Sequence, residues 1–219
     1  DYEVVTSVEQ KLRRGEIVFM EDDLGQAVYH DGMVYYPFGS AVLTAETGKA
    51  TGNWRRIASV YDEEPVEKEV FRLWINHGIS PQSASYGYMV FPSATKDDWQ
   101  QQMKQSGIEP LCLTEKAHVV RFKNIIQSVF FEPFSFQIPD GETLCADRPC
   151  IVMMERDGDR RMLSVCDPTQ KEKEIILRIS GKWQGDYCRY SETDKQTVIT
   201  LPVEHREGES VLLPVERSR

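Results

Sequence analysis

Short stretches in which apolar and polar residues alternate are the feature that most constrains how this 219-residue chain folds. Phe71, Leu73 and Ile75 fall on one side of an extended chain, with Arg72 on the other. Similar alternation, or a short apolar run, occurs at Ile17–Met20, Ala27–His30, Met33–Phe38, Ser85–Phe91 and Ile175–Ile179. Successive strand residues point to opposite faces, so the pattern predicts an all-β chain of antiparallel sheets stacked as sandwiches.

Local signals place one tight turn and one helix in this β pattern. Asp31-Gly32 lies between two apolar runs and is a strong two-residue hairpin signal. A short helix is predicted after Thr95, a good N-cap, with Asp97 and Asp98 in its first turn and Gly107 at its end. Trp99 and Met103, four residues apart, would pack that helix against a sheet.

A domain boundary is predicted where Glu132-Pro133 interrupts the strand pattern, within Phe130–Phe136. Beyond it, several short strands separated by polar turns suffice for a small sandwich. We therefore assign residues 1–131 to one β domain and residues 132–219 to a second. The chain begins at Asp1 without an initiator methionine or a signal peptide, and we expect that it starts inside a longer gene product or after processing.

Composition narrows the choice of partner. The net charge is −9, so the basic footprint of a nucleic-acid-binding protein is missing. No apolar run reaches the length of a transmembrane helix, so no membrane span is expected. An anionic partner would have to meet one of three pairs, Arg13-Arg14, Arg55-Arg56 and Arg160-Arg161. Solvated surface residues are the commoner interpretation of each pair.

The five cysteines show no metal or redox spacing. Pro149–Asp167 is predicted to be a hairpin, and a three-residue loop would place Cys150 opposite Cys166. A disulfide there needs suitable geometry and an oxidising compartment. Two free, partly buried thiols are the favoured alternative.

Trp54 provides the most specific binding hypothesis. Together with Arg55 and Arg56 it would offer a flat apolar face beside two guanidinium groups. This set suits a sugar ring that carries carboxylate or sulfate, because arginine pairs bidentately with planar anions. A core tryptophan flanked by exposed arginines is the commoner arrangement.

Signals of catalysis or metal binding are weak. His30, His77, His118 and His205 show no metal-ligand spacing, and no nucleophile motif is present. The clusters Glu21-Asp22-Asp23 and Asp62-Glu63-Glu64 carry oxygen ligands for a structural divalent cation but lack the spacing of a calcium loop. No cofactor is expected to be required, and solvated loops account for both clusters.

Five motifs in order resemble a known family. They are Thr6-Ser7-Val8-Glu9-Gln10, the hairpin His30-Asp31-Gly32 with Tyr35, Gly52-Asn53-Trp54 with Ile57, Trp74-Ile75-Asn76-His77-Gly78 followed by Ala84-Ser85-Tyr86-Gly87-Tyr88, and Asp167-Pro168-Thr169-Gln170. The order is similar to that of polysaccharide lyase family eight, which contains hyaluronate, chondroitin and xanthan lyases. Asn76 stands where that family usually has Asp, and Gly87 where it has Ala.

The resemblance implies that residues 1–131 are the last part of a β-supersandwich and that residues 132–219 are the small C-terminal β-sandwich. It implies a secreted enzyme that cleaves an acidic polysaccharide by β-elimination, with its catalytic Asn, His, Tyr and Arg in an N-terminal α/α toroid. No motif position for a catalytic residue lies in this chain, so none is assigned. His77 and Tyr86 lie in family motifs that resemble scaffold elements of the sheet.

Two functions of different classes follow. The chain is either the inactive C-terminal β region of such a lyase or a stand-alone carbohydrate-binding β-sandwich module. In either case Trp54, Arg55 and Arg56 are the candidate substrate-binding residues. A purely structural or adhesive sandwich is the weaker third interpretation.

Overall fold

A computed structural model describes residues 4–6, 18–22, 25–38, 42–92, 95, 98–139 and 141–218. Within these ranges the chain is nearly all β, with antiparallel sheets and one short α-helix, as the alternation predicts. Chain contacts separate two compact units, Asp1–Gln105 and Ser106–Arg219. The predicted domain boundary at residues 131 and 132 stays a prediction, and it lies inside the second unit.

The first unit contains two described sheets. Its elements are β1 Val4–Thr6, β2 Val18–Asp22, β3 Gly25–His30, β4 Met33–Pro37, β5 Val42–Gly52, β6 Val66–Asn76, β7 Tyr88–Phe91 and α1 Trp99–Gln105. One sheet has the order β1-β5-β6 and the other β2-β3-β4-β7. Leu43 and Ala45 of the first sheet pack with Val28 of the second, which joins the two sheets through an apolar layer.

Turn and cap chemistry explain two elements of this unit. Asp31 and Gly32 have φ of 45° and 76° and join His30 to Met33, so the predicted hairpin is confirmed. At the start of α1, the Asp98 amide donates to the Thr95 hydroxyl (3.3 Å). Buried Trp99 and Met103 pack α1 against the four-stranded sheet, as predicted. Asp97 lies outside the described residues.

The second unit is a two-sheet sandwich. Its strands are β8 Ile108–Leu113, β9 Ala117–Phe122, β10 Ile125–Phe130, β11 Phe134–Gln137, β12 Thr143–Ala146, β13 Cys150–Asp157, β14 Arg160–Cys166, β15 Glu174–Ser180, β16 Trp183–Gln184, β17 Cys188–Ser191, β18 Gln196–Pro202 and β19 Val211–Arg217. The sheet orders are β16-β19-β14-β13-β10-β9-β8 and β11-β12-β15-β18-β17. Ile175, Leu177 and Ile179 are fully buried and belong to one continuous core with residues of both sheets.

The β13–β14 hairpin separates the two cysteines that were considered as a disulfide. Asp157 pairs with Arg160, so the loop has two residues rather than three and Cys166 lies opposite Ile151. Cys150 is buried with the core, whereas Ile151 faces the other side of the sheet. All five cysteines are free. The one-residue shift in register therefore excludes the disulfide, because neighbouring strand residues point to opposite faces.

Candidate functional site

The segment that carries Trp54, Arg55 and Arg56 is a structured turn. We call residues 53–65, which join β5 to β6, the Trp54 loop. Trp54–Arg56 forms one 3₁₀ turn, and the side-chain oxygen of Asn53 caps it by accepting from the Arg56 amide (3.1 Å). The amides of Ile57 and Ala58 both donate to the Trp54 carbonyl, at 2.9 Å and 3.0 Å. These hydrogen bonds fix the backbone from which the three side chains project.

Trp54 lies on the surface, so its interpretation as a core residue is wrong. Its side chain is 57% exposed, and Tyr61 is 53% exposed. The two rings are 6.4 Å apart and tilted by 51°. Ile57 and Val60 in the same loop are still more exposed. A cluster of exposed apolar side chains on a structured turn is typical of a binding surface.

The two arginines of the loop differ in the contacts that their guanidinium groups make. Nε of Arg55 lies 3.4 Å from Oε1 of Glu63, and its Nη1 lies 3.4 Å from the Tyr61 carbonyl. Arg56 is exposed, and its guanidinium group has no ion-pair partner among the residues that the structure describes. The sequence predicted a clamp of two guanidinium groups. Among the described residues, Glu63 and Tyr61 contact that of Arg55, and none forms an ion pair with that of Arg56.

The pair Arg160-Arg161 does not form a comparable surface. Arg160 is exposed and pairs with Glu216 at 3.4 Å. Arg161 is only 5% exposed, so the interpretation as a solvated pair is wrong for this residue. Its Nη2 donates to Glu142 at 3.2 Å, and its guanidinium carbon lies 4.8 Å from the centre of the Trp183 ring. Arg13-Arg14 lies outside the described residues.

The histidines are dispersed over different local environments. His30 stacks on Phe71 at 4.0 Å; burial lowers the pKa of His30, and the charge of Asp31 opposes that shift. His118 meets the ring of Phe131 edge-on at 5.0 Å. His205 is exposed and lies 3.9 Å from a Glu204 oxygen. None of these three contacts pairs a histidine with a nucleophile.

His77 lies at an open cavity of the first unit, a feature that the sequence did not predict. The cavity has a volume of about 530 Å³ and is lined mainly by aromatic and aliphatic side chains. The His77 and Tyr86 rings are 6.2 Å apart, and Tyr86 stacks on Tyr88 at 6.5 Å. Tyr86 and Tyr88 occupy alternate positions of the predicted strand Ser85–Phe91, and this spacing predicts that both rings share one face. The strand itself is shorter than predicted, because β7 begins at Tyr88.

The described residues of the acidic clusters do not form a grouped set of metal ligands. Among the described ranges, no three His, Cys, Asp or Glu side chains are grouped so as to hold a metal ion. Within Asp62–Glu64, one oxygen of Asp62 accepts from the Glu64 amide (3.1 Å) and Glu63 pairs with Arg55. Part of Glu21-Asp22-Asp23 lies outside the described residues.

Comparison with protein families identifies both parts of the chain. The super-sandwich domain of polysaccharide lyase family 8 matches residues 1–103. The C-terminal beta-sandwich domain of the same family matches residues 113–176. Within the described residues, no helix is long and apolar enough to cross a membrane.

Similar proteins are polysaccharide lyases that are much longer than this chain. Chondroitinase-AC of Pedobacter heparinus is 29% identical over 177 residues, which cover 80% of this chain and 25% of that protein. Chondroitin sulfate ABC endolyase of Proteus vulgaris is 28% identical over 162 residues, or 67% of this chain and 16% of that protein. Xanthan lyase of Bacillus sp. is 29% identical over 146 residues, which are 65% of this chain and 16% of that enzyme.

Solved structures show the same relationship. A chondroitinase AC lyase in complex with oligosaccharides superposes with a TM-score of 0.76 at 26% identity, covering 95% of this chain and 30% of that one. Paenibacillus xanthan lyase gives a TM-score of 0.76 over 99% of this chain and 22% of that one, and at 17% identity it supports the fold alone. The two domain matches occur in the predicted order on two β units, and the chain therefore belongs to polysaccharide lyase family 8, as its super-sandwich and C-terminal beta-sandwich regions.

Proposed function

We propose that this chain is the C-terminal β region of a lyase that cleaves uronic-acid-containing glycans of the chondroitin or hyaluronan type by β-elimination. The observation that carries the proposal is the succession of two domains of one lyase family along the chain. The chain spans 25% of chondroitinase-AC and 16% of the ABC endolyase. Activity is therefore proposed for the whole protein, and this region scaffolds the wall of the substrate cleft.

The chemistry supports placing the catalytic residues elsewhere. In β-elimination a base removes the C5 proton of the uronate, and an acid protonates the departing glycosidic oxygen. The C5 proton becomes acidic only when donors or a cation neutralise the uronate carboxylate. The cavity beside His77 and Tyr86 has no Arg, Lys or Asn among its described lining residues. We infer that an N-terminal α/α toroid of the full-length protein supplies the base, the acid and the neutralising groups.

The activity test compares the full-length protein with the isolated chain. Each is incubated with chondroitin and with hyaluronan, and the ultraviolet absorbance of the 4,5-unsaturated product is followed. We expect product from the full-length protein and none from the chain. His77→Ala in the full-length protein should leave the rate unchanged. Product from the chain alone, lost on His77→Ala, would overturn the assignment of a scaffold.

The remaining parts of the proposal follow from the substrate. A polymeric glycan outside the cell requires an extracellular or periplasmic enzyme, so we propose that the protein is secreted. The partners are an acidic polysaccharide and the toroid of the same protein, with no role for nucleic acid. Neither a cofactor nor a catalytic metal is required by this elimination, although a structural cation in the acidic loops is compatible with it.

A stand-alone carbohydrate-binding module is the second candidate. The observation that favours it is the exposed ring of Trp54 on a hydrogen-bonded turn, beside Arg55 and Arg56. Titrating the isolated chain with chondroitin sulfate oligosaccharides tests this binding surface. Binding that Trp54→Ala removes would support glycan contact at the loop. Absence of binding by the wild-type chain would leave the scaffold role alone.

A further inference from the structure

The two arginines of the Trp54 loop differ in their engagement, and this difference bears on which anionic sugars the loop can hold. Arg55 contacts the carboxylate of Glu63 and the carbonyl of Tyr61, both at 3.4 Å. Arg56 is exposed, and its backbone amide is held by Asn53. Arg56 lies two residues after Trp54 in the same single 3₁₀ turn, and both residues are exposed.

From this geometry we propose that Glu63 determines the anion specificity of the Trp54 loop by occupying Arg55, so that Arg56 is the anion contact and Trp54 with Tyr61 holds the sugar ring. The proposal rests on the proposed function of the loop as a glycan-contacting surface. The loop therefore recognises one anionic group in each disaccharide that it contacts, and a further sulfate adds no affinity. A second anionic group, such as a sulfate, finds Arg55 already engaged.

The strength of the contact between Arg55 and Glu63 limits the size of the effect. The distance of 3.4 Å is longer than an ordinary hydrogen bond, and the two side chains are 51% and 78% exposed. Exposed ion pairs contribute little free energy, so a ligand sulfate competes with Glu63 at a modest disadvantage. Removing the Glu63 charge should raise affinity for a doubly charged sugar pair by about threefold.

Arg160 and Glu216 provide matched controls in the second unit. Their contact also measures 3.4 Å, and both side chains are exposed. Glu216→Gln changes the net charge of the chain by the same amount as Glu63→Gln but lies outside the loop. Arg160→Gln is the corresponding control for Arg56→Gln.

The test is calorimetric titration of the chain with unsulfated and with sulfated chondroitin oligosaccharides of equal length. We expect the wild type to bind both with similar affinity and Arg56→Gln to weaken both by about tenfold. Glu63→Gln should raise the affinity for the sulfated ligand alone by about threefold. Glu63→Asp should retain the wild-type ratio of the affinities for the sulfated and the unsulfated ligand. Glu216→Gln and Arg160→Gln should leave that ratio unchanged.

The possible results distinguish a failure of the proposed binding surface from a failure of the role proposed for Glu63. If Trp54→Ala leaves both affinities unchanged, the loop does not contact glycan and the proposed binding surface is wrong. If Trp54→Ala weakens both but Glu63→Gln behaves like Glu216→Gln, the surface stands and the role of Glu63 is overturned. Equal affinities of Arg56→Gln and Arg160→Gln would overturn the role of Arg56.

Discussion

Trp183 in the second unit and Trp54 in the first show how differently the two regions use a large aromatic side chain. Trp183 is 2% exposed, and its indole N–H donates to the Ser180 carbonyl (3.0 Å). The guanidinium groups of Arg161 and Arg217 lie 4.8 Å and 5.6 Å from its ring centre. Trp54 is 57% exposed, and its ring has Tyr61 as a tilted neighbour.

The same contrast extends to the apolar residues around them. In the second unit, fully buried residues of both sheets form one core cluster. In the described part of the first unit, the buried residues fall into two small clusters, one on each side of the four-stranded sheet. Side chains of the binding type, such as Trp54, Tyr86 and Tyr88, are exposed there. Within the described residues, buried apolar packing is therefore concentrated in the second unit and exposed aromatic side chains in the first, so we expect the second unit to be the more stable.

The largest expected effect is that of Trp183→Ala. This change removes a buried ring, its hydrogen bond and the surface on which Arg161 lies, and should destabilise the second unit by about 3–5 kcal/mol. Urea unfolding followed by segment-resolved hydrogen exchange measures the loss. A loss below about 1 kcal/mol would contradict the structural role that distinguishes Trp183 from Trp54.

A smaller effect is expected from shortening a core leucine, and the two units offer a matched pair. Leu177 is fully buried, whereas Leu73 is partly buried. Leu177→Ala should cost about 3–4 kcal/mol. Leu73→Ala should cost about 1–2 kcal/mol, because less apolar surface is lost from contact. Hydrogen exchange of each unit reports the two losses separately, and equal losses would contradict the account.

Asp167 predicts how the second unit responds to acid. Burial alone would raise the pKa of Asp167, but the Thr169 hydroxyl and the amides of Thr169, Lys171 and Glu172 donate to its carboxylate and lower the pKa to about 2. The unfolded chain therefore takes up this proton more readily than the folded one. Its stabilisation is complete above the unfolded pKa of about 4 and is lost as the pH falls towards about 2.

Asp167→Asn isolates this contribution. The amide nitrogen would face backbone N–H donors, so the variant should lose about 1–3 kcal/mol at neutral pH. The difference from wild type should shrink as the pH falls from 4 to 2, measured as the shift of the urea midpoint. Thr169→Val, which removes the hydroxyl donor alone, should lose about 1 kcal/mol. A difference that does not depend on pH would show that the carboxylate charge is not responsible.

The smallest effect on stability is expected from Trp54→Ala. The ring is mostly exposed, so the free energy of unfolding should change by less than about 0.5 kcal/mol. Affinity for chondroitin oligosaccharides should nevertheless fall in the titration described above. A loss of stability comparable to that of Trp183→Ala would mean that Trp54 is a core residue, and the proposed surface would lose its basis.

Local chemistry made part of the fold predictable from the sequence. The turn at Asp31-Gly32 requires positive φ at both central residues, and these residue types tolerate it. The helical spacing of Trp99 and Met103 likewise predicts their shared buried face. The family resemblance added the order of the two β regions, which the alternation alone does not specify.

Properties that depend on register or on distant neighbours were not predictable. The sequence of the β13–β14 hairpin is compatible with two loop lengths, and a shift by one residue moved Cys166 away from Cys150. Burial of Arg161 depends on Glu142 and Trp183, which come from other segments of the fold. The exposure of Trp54 likewise depends on which residues pack against it. The contact between Arg55 and Glu63 could not be predicted because it depends on the path of the loop between these two residues.

The most direct test of this division of roles is nuclear magnetic resonance of the ¹⁵N-labelled chain titrated with a chondroitin sulfate oligosaccharide. The account predicts that amide shift changes concentrate in the Trp54 loop, residues 53–65, while the core strands of the second unit stay unchanged. Changes concentrated in the second unit, with the Trp54 loop unaffected, would contradict it.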